Sequence, residues 1–280
     1  MITLKKKWLL FGIFNLILVI SFGCANKDNY DDSPVTSDTN TTELTEEKEE
    51  KPEIDEEEQK QQTEPTDESS DHPDKHETYE LDIHSDESMT ALVNKQHSLQ
   101  DNYEPNDLVT VDVPTILENP EVNQLRKEAA NALKEMFNEA LETNITLYAR
   151  SGYRSHQTQE QLFNSYAEEH GEEAANRYRA RPGQSEHQTG LVMDVTSESV
   201  NFQLVEAFDE TEEGKWLQDN AHKFGFIIRY PQDKEDITGY IYEPWHLRYL
   251  GVDVATAVYE SGLTYEEFLV KEGIIHEVNS

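Results

Sequence analysis

The chain reads as an α+β domain with a small, mainly antiparallel sheet flanked by helices, spanning residues 89–280 behind an acidic leader. From Met89 onward, helical and strand periodicities mix without the regular strand–helix–strand rhythm that a parallel sheet imposes. The apolar runs that read as strands are short and bounded by turn residues. The 192 residues from Met89 to Ser280 suffice for one domain with a real core, and no internal repeat divides them.

The elements follow in chain order. From Glu121 to Glu142, Val122, Leu125, Ala129, Leu133, Met136, Ala140 and Leu141 recur at intervals of three and four, the signature of an amphipathic helix. Ile145–Tyr148 is β-branched and aromatic and reads as a short strand. Ser151-Gly152-Tyr153-Arg154-Ser155 supplies turn residues and an N-cap, Ser155, for a helix from His156 to Glu169 carrying Leu162, Phe163 and Tyr166. Leu191–Thr196, Phe226–Tyr230 and Trp245–Tyr249 read as strands, and 215–224, 253–260 and 264–271 as helices.

Composition restricts the function classes. The 280 residues include 58 acidic against 23 Lys+Arg, a formal net charge of −35, so a nucleic-acid partner, which needs a basic footprint, is excluded. Residues 25–88 alone hold 24 Asp/Glu against 5 Lys with almost no aromatics. Such a segment cannot bury enough apolar surface to offset its ordering entropy and reads as a solvated tether. Its root-mean-square reach is about 45 Å, more with like-charge repulsion. His72 and His76 fall within it at i, i+4, but the composition supports no helix that would pair them.

The first residues read as an address. Lys5, Lys6 and Lys7 precede an apolar run from Trp8 to Phe22, shorter than the roughly 20 residues of a spanning helix, which favours an export signal. The run closes on Ser21-Phe22-Gly23-Cys24, which resembles a bacterial lipobox, with Ser21 where leucine is usual. That resemblance implies a signal peptide at 1–23, lipidation of Cys24, a tether over 24–88 and attachment to the outer face of the bacterial cell membrane, facing the wall. An ordinary cleaved signal is the competing reading. Cys24 is the sole cysteine, which rules out an internal disulfide, a Cys-based zinc knuckle and a cysteine nucleophile elsewhere.

Two stretches carry chemistry. In Ser185-Glu186-His187-Gln188-Thr189-Gly190-Leu191-Val192-Met193-Asp194, a loop histidine precedes an aspartate set among apolar strand residues. A carboxylate there is costly unless a charge or a metal partners it. In Tyr242-Glu243-Pro244-Trp245-His246-Leu247-Arg248-Tyr249, a glutamate and a histidine enter an aromatic strand. Two imidazoles and a carboxylate suit a catalytic zinc with its fourth position open to water, and a nearby carboxylate can take that water's proton. On a regular strand Glu243 and His246 would face opposite sides, and Pro244 marks where the chain can turn, so Glu243 is expected just before the strand. Alone, His246 could be a structural strand histidine, and Asp194 could cap a turn or pair with Arg248.

Taken together, S-G-Y-R-S at 151–155 with Gln159 behind it, S-x-H-x-x-G-x-x-x-D at 185–194 and E-P-W-H at 243–246 resemble the VanY-type zinc D,D- and L,D-carboxypeptidases. These are relatives of the VanX dipeptidases and of the zinc-binding fold of Hedgehog domains. The likeness runs from about residue 90 to 273 and includes Ala91–Lys95 and Tyr103–Val109. It implies one Zn²⁺ per chain held by His187, Asp194 and His246, with Glu243 as catalytic base. It also puts Arg154 against the substrate carbonyl or carboxylate, with Gln159 and Ser185 as nearby substrate-binding polar groups. The implied substrates are peptidoglycan stem peptides, from which a C-terminal D-alanine is removed.

Competing machinery is missing from the sequence. It holds no Ser-x-x-Lys, no Lys-Thr-Gly and no His-Glu-x-x-His, which disfavours a penicillin-binding serine enzyme and a thermolysin-like helix site. The alternatives are a wall-binding or sensor lipoprotein without turnover, and an endopeptidase or dipeptidase on the same fold. Retention of a base beside three ligands argues for turnover. Arg177, Arg179 and Arg181 suit either contact with acidic stem peptides or a solvated basic face.

Overall fold

The computed structural model describes Tyr79 and residues 81–278. The segments read as an export signal and, for the most part, as a tether, with Cys24, His72 and His76, lie outside the described residues. A two-stranded ribbon comes first, with β1 (Leu108–Thr110) antiparallel to β2 (Gln124–Arg126) and Leu108 opposite Arg126. There follow α1 (Lys127–Glu142), β3 (Tyr148–Ser151), α2 (His156–His170), α3 (Glu172–Tyr178) and β4 (Val192–Thr196). The chain then continues through α4 (Glu212–Asn220), β5 (Phe226–Tyr230), α5 (Glu235–Thr238), β6 (Glu243–Tyr249), α6 (Val252–Ser261) and α7 (Tyr265–Lys271). The main sheet has the order β3-β4-β6-β5, antiparallel throughout, so the domain is α+β as expected.

Several elements depart from the sequence reading. The helix expected from Glu121 begins at Lys127, because Gln124–Arg126 pairs with β1 and the preceding backbone is taken by tertiary bonds. Gly152 N–H donates to Val122 O at 2.6 Å, Tyr153 N–H to Gln124 O at 2.8 Å and Arg126 N–H to Gly190 O at 2.8 Å. Val122 and Leu125 stay buried, so the apolar period runs on through a segment that is not helical. The strand expected at Ile145–Tyr148 starts at Tyr148, because Ile145 N–H still closes the end of α1 on Ala140 O, at 2.9 Å. Helix α3 was not anticipated; it follows Gly171 at φ +90° with Glu172 and Glu173 in its first turn.

Helix α1 lays Ala129, Leu133, Met136 and Ala140 against the sheet residues Ala149, Met193, Val195 and Leu247 to form the main core. A second cluster packs Val254, Ala255, Val258, Tyr265, Phe268 and Leu269 of α6 and α7 around Ile83 and Leu92. Residues ahead of Met89 therefore join the packing, and Leu92 N–H donates to Ile83 O at 3.1 Å.

Candidate metal centre

Strands β4 and β6 pair so that Asp194 and His246 are direct cross-strand neighbours. His187 reaches the same point from a 3-10 turn, Glu186–Thr189, which ends at Gly190 in the left-handed region, φ +65°. His187 Nε2 lies 3.4 Å from Asp194 Oδ2, and His246 Nδ1 lies 3.1 Å from Asp194 Oδ1. The two rings stand perpendicular, 5.1 Å apart. One ligand atom from each of the three buried residues falls within 4.8 Å of the others. The 3.1 Å approach lacks hydrogen-bond geometry, and Asp194 Oδ1 has no hydrogen-bond partner among the described residues. A buried carboxylate oxygen left unmet between two imidazoles fits a bound cation.

Ring orientation is set by neighbours. His187 Nδ1 sits 2.8 Å from Gly152 O, so the proton lies there and Nε2 keeps its lone pair toward Asp194. Gly152 is required at that place, since a Cβ would stand 2.5 Å from Gln124 O. Burial pushes the His187 pKa down to about 3, opposed by Asp194 and reinforced by Arg154. Burial also pulls on His246, yet the carboxylates of Asp194, Glu186 and Glu243 outweigh it and raise that imidazole to about 9.

A backbone irregularity brings Glu243 in. Ile228 faces Leu247, but two residues on, Tyr230 faces Glu243, so β6 carries extra residues around Pro244. That bulge removes the parity conflict: Glu243 Oε2 comes within 3.4 Å of His246 Nδ1 although the two are three residues apart. Glu243 is the first residue of β6 rather than the last before it. Its side chain is 23% exposed against 4% for His246, which puts it at the mouth of the cluster.

A second bulge, between Ala149 and Ser151 of β3, sets Ser151 opposite Asp194. Ser151 Oγ accepts from Arg154 Nη2 at 3.2 Å, and Gln159 Oε1 accepts from Nη1 at 2.9 Å. Arg154 N–H also donates to His187 O at 3.2 Å, which ties the arginine turn to the histidine turn. Gln159 is buried and its Nε2 donates to Ala180 O at 2.6 Å. Ser185 is buried at the start of the histidine turn, where its carbonyl accepts from Gln188 N–H at 3.1 Å. Ser155 caps α2 as expected, and Glu121 accepts from Ser155 N–H and Thr158 Oγ1, placing an acid at a helix start that Arg154 alone would disfavour.

Other candidates fall away from the cluster. His156 lies 3.8 Å from Asp101. Arg179 and Arg181 lie over the rings of Tyr166 and Phe163, with Arg181 paired to Glu172 at 2.7 Å. Arg248 pairs with Glu186 at 2.8 Å and not with Asp194. Glu186 is the residue that sequence reasoning passed over. Its Oε1 accepts from Arg229 Nε and Arg248 Nη1, both at 2.8 Å, and its Oε2 lies 3.4 Å from His246 Nε2. Burial pushes its carboxyl pKa up, but the two guanidinium charges and His246 hold it well below the usual carboxylate range. The available signal was an arginine inside each of two apolar strands, since a buried guanidinium demands an acid.

A small antiparallel sheet that gathers two imidazoles and a carboxylate, with a further carboxylate at the mouth, has the donor set of a mononuclear zinc hydrolase. The VanY family model, described as D-alanyl-D-alanine carboxypeptidase, matches residues 122–252. The chain is 52% identical over 190 residues to a Bacillus subtilis protein named as a carboxypeptidase, YodJ, covering 68% of this chain and 70% of that one. It is also similar to the solved LD-carboxypeptidase LdcB, at 52% identity and a TM-score of 0.65, covering 66% of this chain and 87% of that one. The vancomycin-resistance D,D-pentapeptidase VanY in complex with Zn(II) aligns at 32% identity and a TM-score of 0.53, covering 65% and 99%. The chain belongs to the VanY family.

Proposed function

We propose that this protein is a zinc-dependent carboxypeptidase that removes the C-terminal D-alanine of peptidoglycan stem peptides. It would work from a lipid anchor at Cys24 on the outer face of the membrane, with the acidic segment as tether. The names of its relatives support carboxypeptidase action on wall peptides. The observation that carries the mechanism is the unmet Asp194 oxygen between His187 and His246, with Glu243 3.4 Å from His246 at the mouth. His187 through Nε2, Asp194, and His246 through Nδ1 would hold the ion. Bound zinc supplies Lewis acidity, bringing a water's pKa to roughly 7 and polarising the scissile carbonyl.

Glu243 accepts the proton of the attacking water and returns it to the leaving D-alanine amine as the C–N bond breaks. Its partial exposure lets it exchange with water and substrate, which a fully enclosed carboxylate could not do. The Arg154 guanidinium, held by Ser151 and Gln159, offers fixed positive charge to the substrate's carboxylate or developing oxyanion. The tetrapeptide end is the preferred substrate in this reading, supported by 52% identity to the LD-carboxypeptidase against 32% to the D,D-pentapeptidase.

The test is mass-spectrometric: zinc-loaded protein and its Glu243→Gln variant are incubated with muropeptides ending in one or two D-alanines. Loss of one alanine mass is expected, faster from the tetrapeptide, with turnover down about 10²–10⁴-fold in the variant at unchanged zinc content. Near-normal turnover in Glu243→Gln would remove it as base. If neither peptide is trimmed by a protein holding stoichiometric zinc, the wall-binding reading takes its place.

A further inference from the structure

Four charged side chains behind His246 take no part in the chemistry above. Glu186, Arg229, Arg248 and Glu266 are each at most 2% exposed, and their charges cancel. Arg229 grips Glu266 of α7 with two bonds, Nη1 to Oε2 at 2.8 Å and Nη2 to Oε1 at 2.5 Å, while its Nε donates to Glu186 Oε1. Asn94 Nδ2 donates to Glu266 at 3.3 Å. Arg248 Nη2 is anchored on the carbonyls of Met89 and Ala91, at 3.1 and 2.7 Å. With Oε1 of Glu186 committed to both guanidiniums, its Oε2 is left for His246 Nε2.

We propose that Glu186 is a positioning residue for the metal centre: it takes the Nε2–H of His246 and thereby turns the Nδ1 lone pair to the point shared with His187 and Asp194. The Arg229–Glu266 clamp makes α7, which lies outside the metal site, part of that orientation. This role rests on the zinc reading above and extends it to residues that touch neither ion nor substrate. Of the two nitrogens of His246, Nδ1 faces Asp194 and Glu243 while Nε2 faces Glu186, so only the Nε2–H tautomer leaves Nδ1 able to ligate.

A carboxylate can serve the arginines with one oxygen and the imidazole with the other. An amide cannot. In Glu186→Gln the two guanidinium donors claim the single oxygen, and the NH₂ group turns to His246 Nε2. That nitrogen must then accept, which moves the proton to Nδ1, where the metal has to bind. The replacement is nearly isosteric, so the change is one of donors and acceptors.

The experiment measures the zinc dissociation constant of the full chain, Glu186→Gln and Glu266→Gln by competition with a chromophoric chelator at fixed pH. Imidazole ¹⁵N NMR of the zinc-loaded proteins records which nitrogen of His246 carries the proton. Glu186→Gln is expected to weaken zinc about 10–100-fold and Glu266→Gln by less, with a wild-type spectrum of metallated Nδ1 and protonated Nε2. A network that only supports the fold would lower the melting temperatures of the apo and zinc-loaded forms alike and leave zinc affinity unchanged. Unchanged affinity in folded Glu186→Gln overturns the proposal, as does a wild-type His246 that ligates through Nε2. Should Glu186→Gln fail to fold, Glu266→Gln decides: unchanged affinity and spectrum there overturn the coupling to α7. A wild-type chain that binds no zinc overturns the reading of the site itself, and this role with it.

Discussion

On one side of His246, Asp194 keeps an oxygen without a hydrogen-bond partner among the described residues, between two imidazoles and beside the partly exposed carboxylate of Glu243. On the other side, both oxygens of Glu186 are engaged, and the guanidiniums around it end on Glu266, Asn94 and backbone carbonyls. His187, Asp194 and His246 are buried, as are Glu186, Arg229, Arg248 and Glu266, and the two clusters share a residue, so burial alone does not distinguish the ligands from the network. Completeness does. A satisfied buried ion network is support, because its desolvation cost is already offset by its own partners. A buried carboxylate oxygen left unmet between two imidazoles fits a cation from outside the chain.

The sharpest way to break this contrast is Asp194→Ala. Zinc uptake and turnover should fall to background at a modest cost to the apo fold, because the substitution removes only the 3.4 Å and 3.1 Å approaches of His187 and His246 to the carboxylate. A large loss of apo stability would show that Asp194 belongs to the support. Glu266→Ala should do the reverse to the fold, costing about 3–5 kcal/mol in chemical denaturation, because Arg229 loses its bidentate partner. Arg154→Ala is expected to lower kcat about 10²–10³-fold at unchanged zinc content, read from steady-state kinetics on the tetrapeptide. The smallest effect is expected from Thr264→Ala. Thr264 and Glu267 form a capping box at the start of α7, and its loss should cost about 1 kcal/mol in a melt.

The sequence disclosed the two regions unequally. His187, Asp194, His246 and Glu243 stood out because polar residues at those places contradict the apolar strands around them, and the structure brings both histidines to Asp194 and Glu243 to His246. Strand β5 was legible end to end from Phe226–Tyr230. Glu186 was not, since it reads as a spacer between Ser185 and His187, and its partners lie on β5 and β6, far along the chain. Strand β2 was hidden because Val122 and Leu125 continue the period of α1 while their backbone bonds to the Gly152 turn and to β1. Pairing between distant segments decides such cases, and a local pattern does not contain it. The bulge at Pro244 was foreshadowed by the proline, but its extent depends on the register with β5.

The clamp on α7 also bears on the order in which the molecule is made. Every ligand and the base have been synthesised by His246, yet the acid that balances Arg229 arrives only with Glu266. A chain clipped before Thr264 would hold the whole chemical set but leave two guanidiniums with one carboxylate in the interior, a net buried charge that lowers the stability of the fold. Copies that end before Glu266 are thus expected to be less stable than the full chain, which a melt of the truncated protein checks. For a protein proposed to cut the cell's own wall, that ties the stability of the hydrolytic site to completion of the polypeptide.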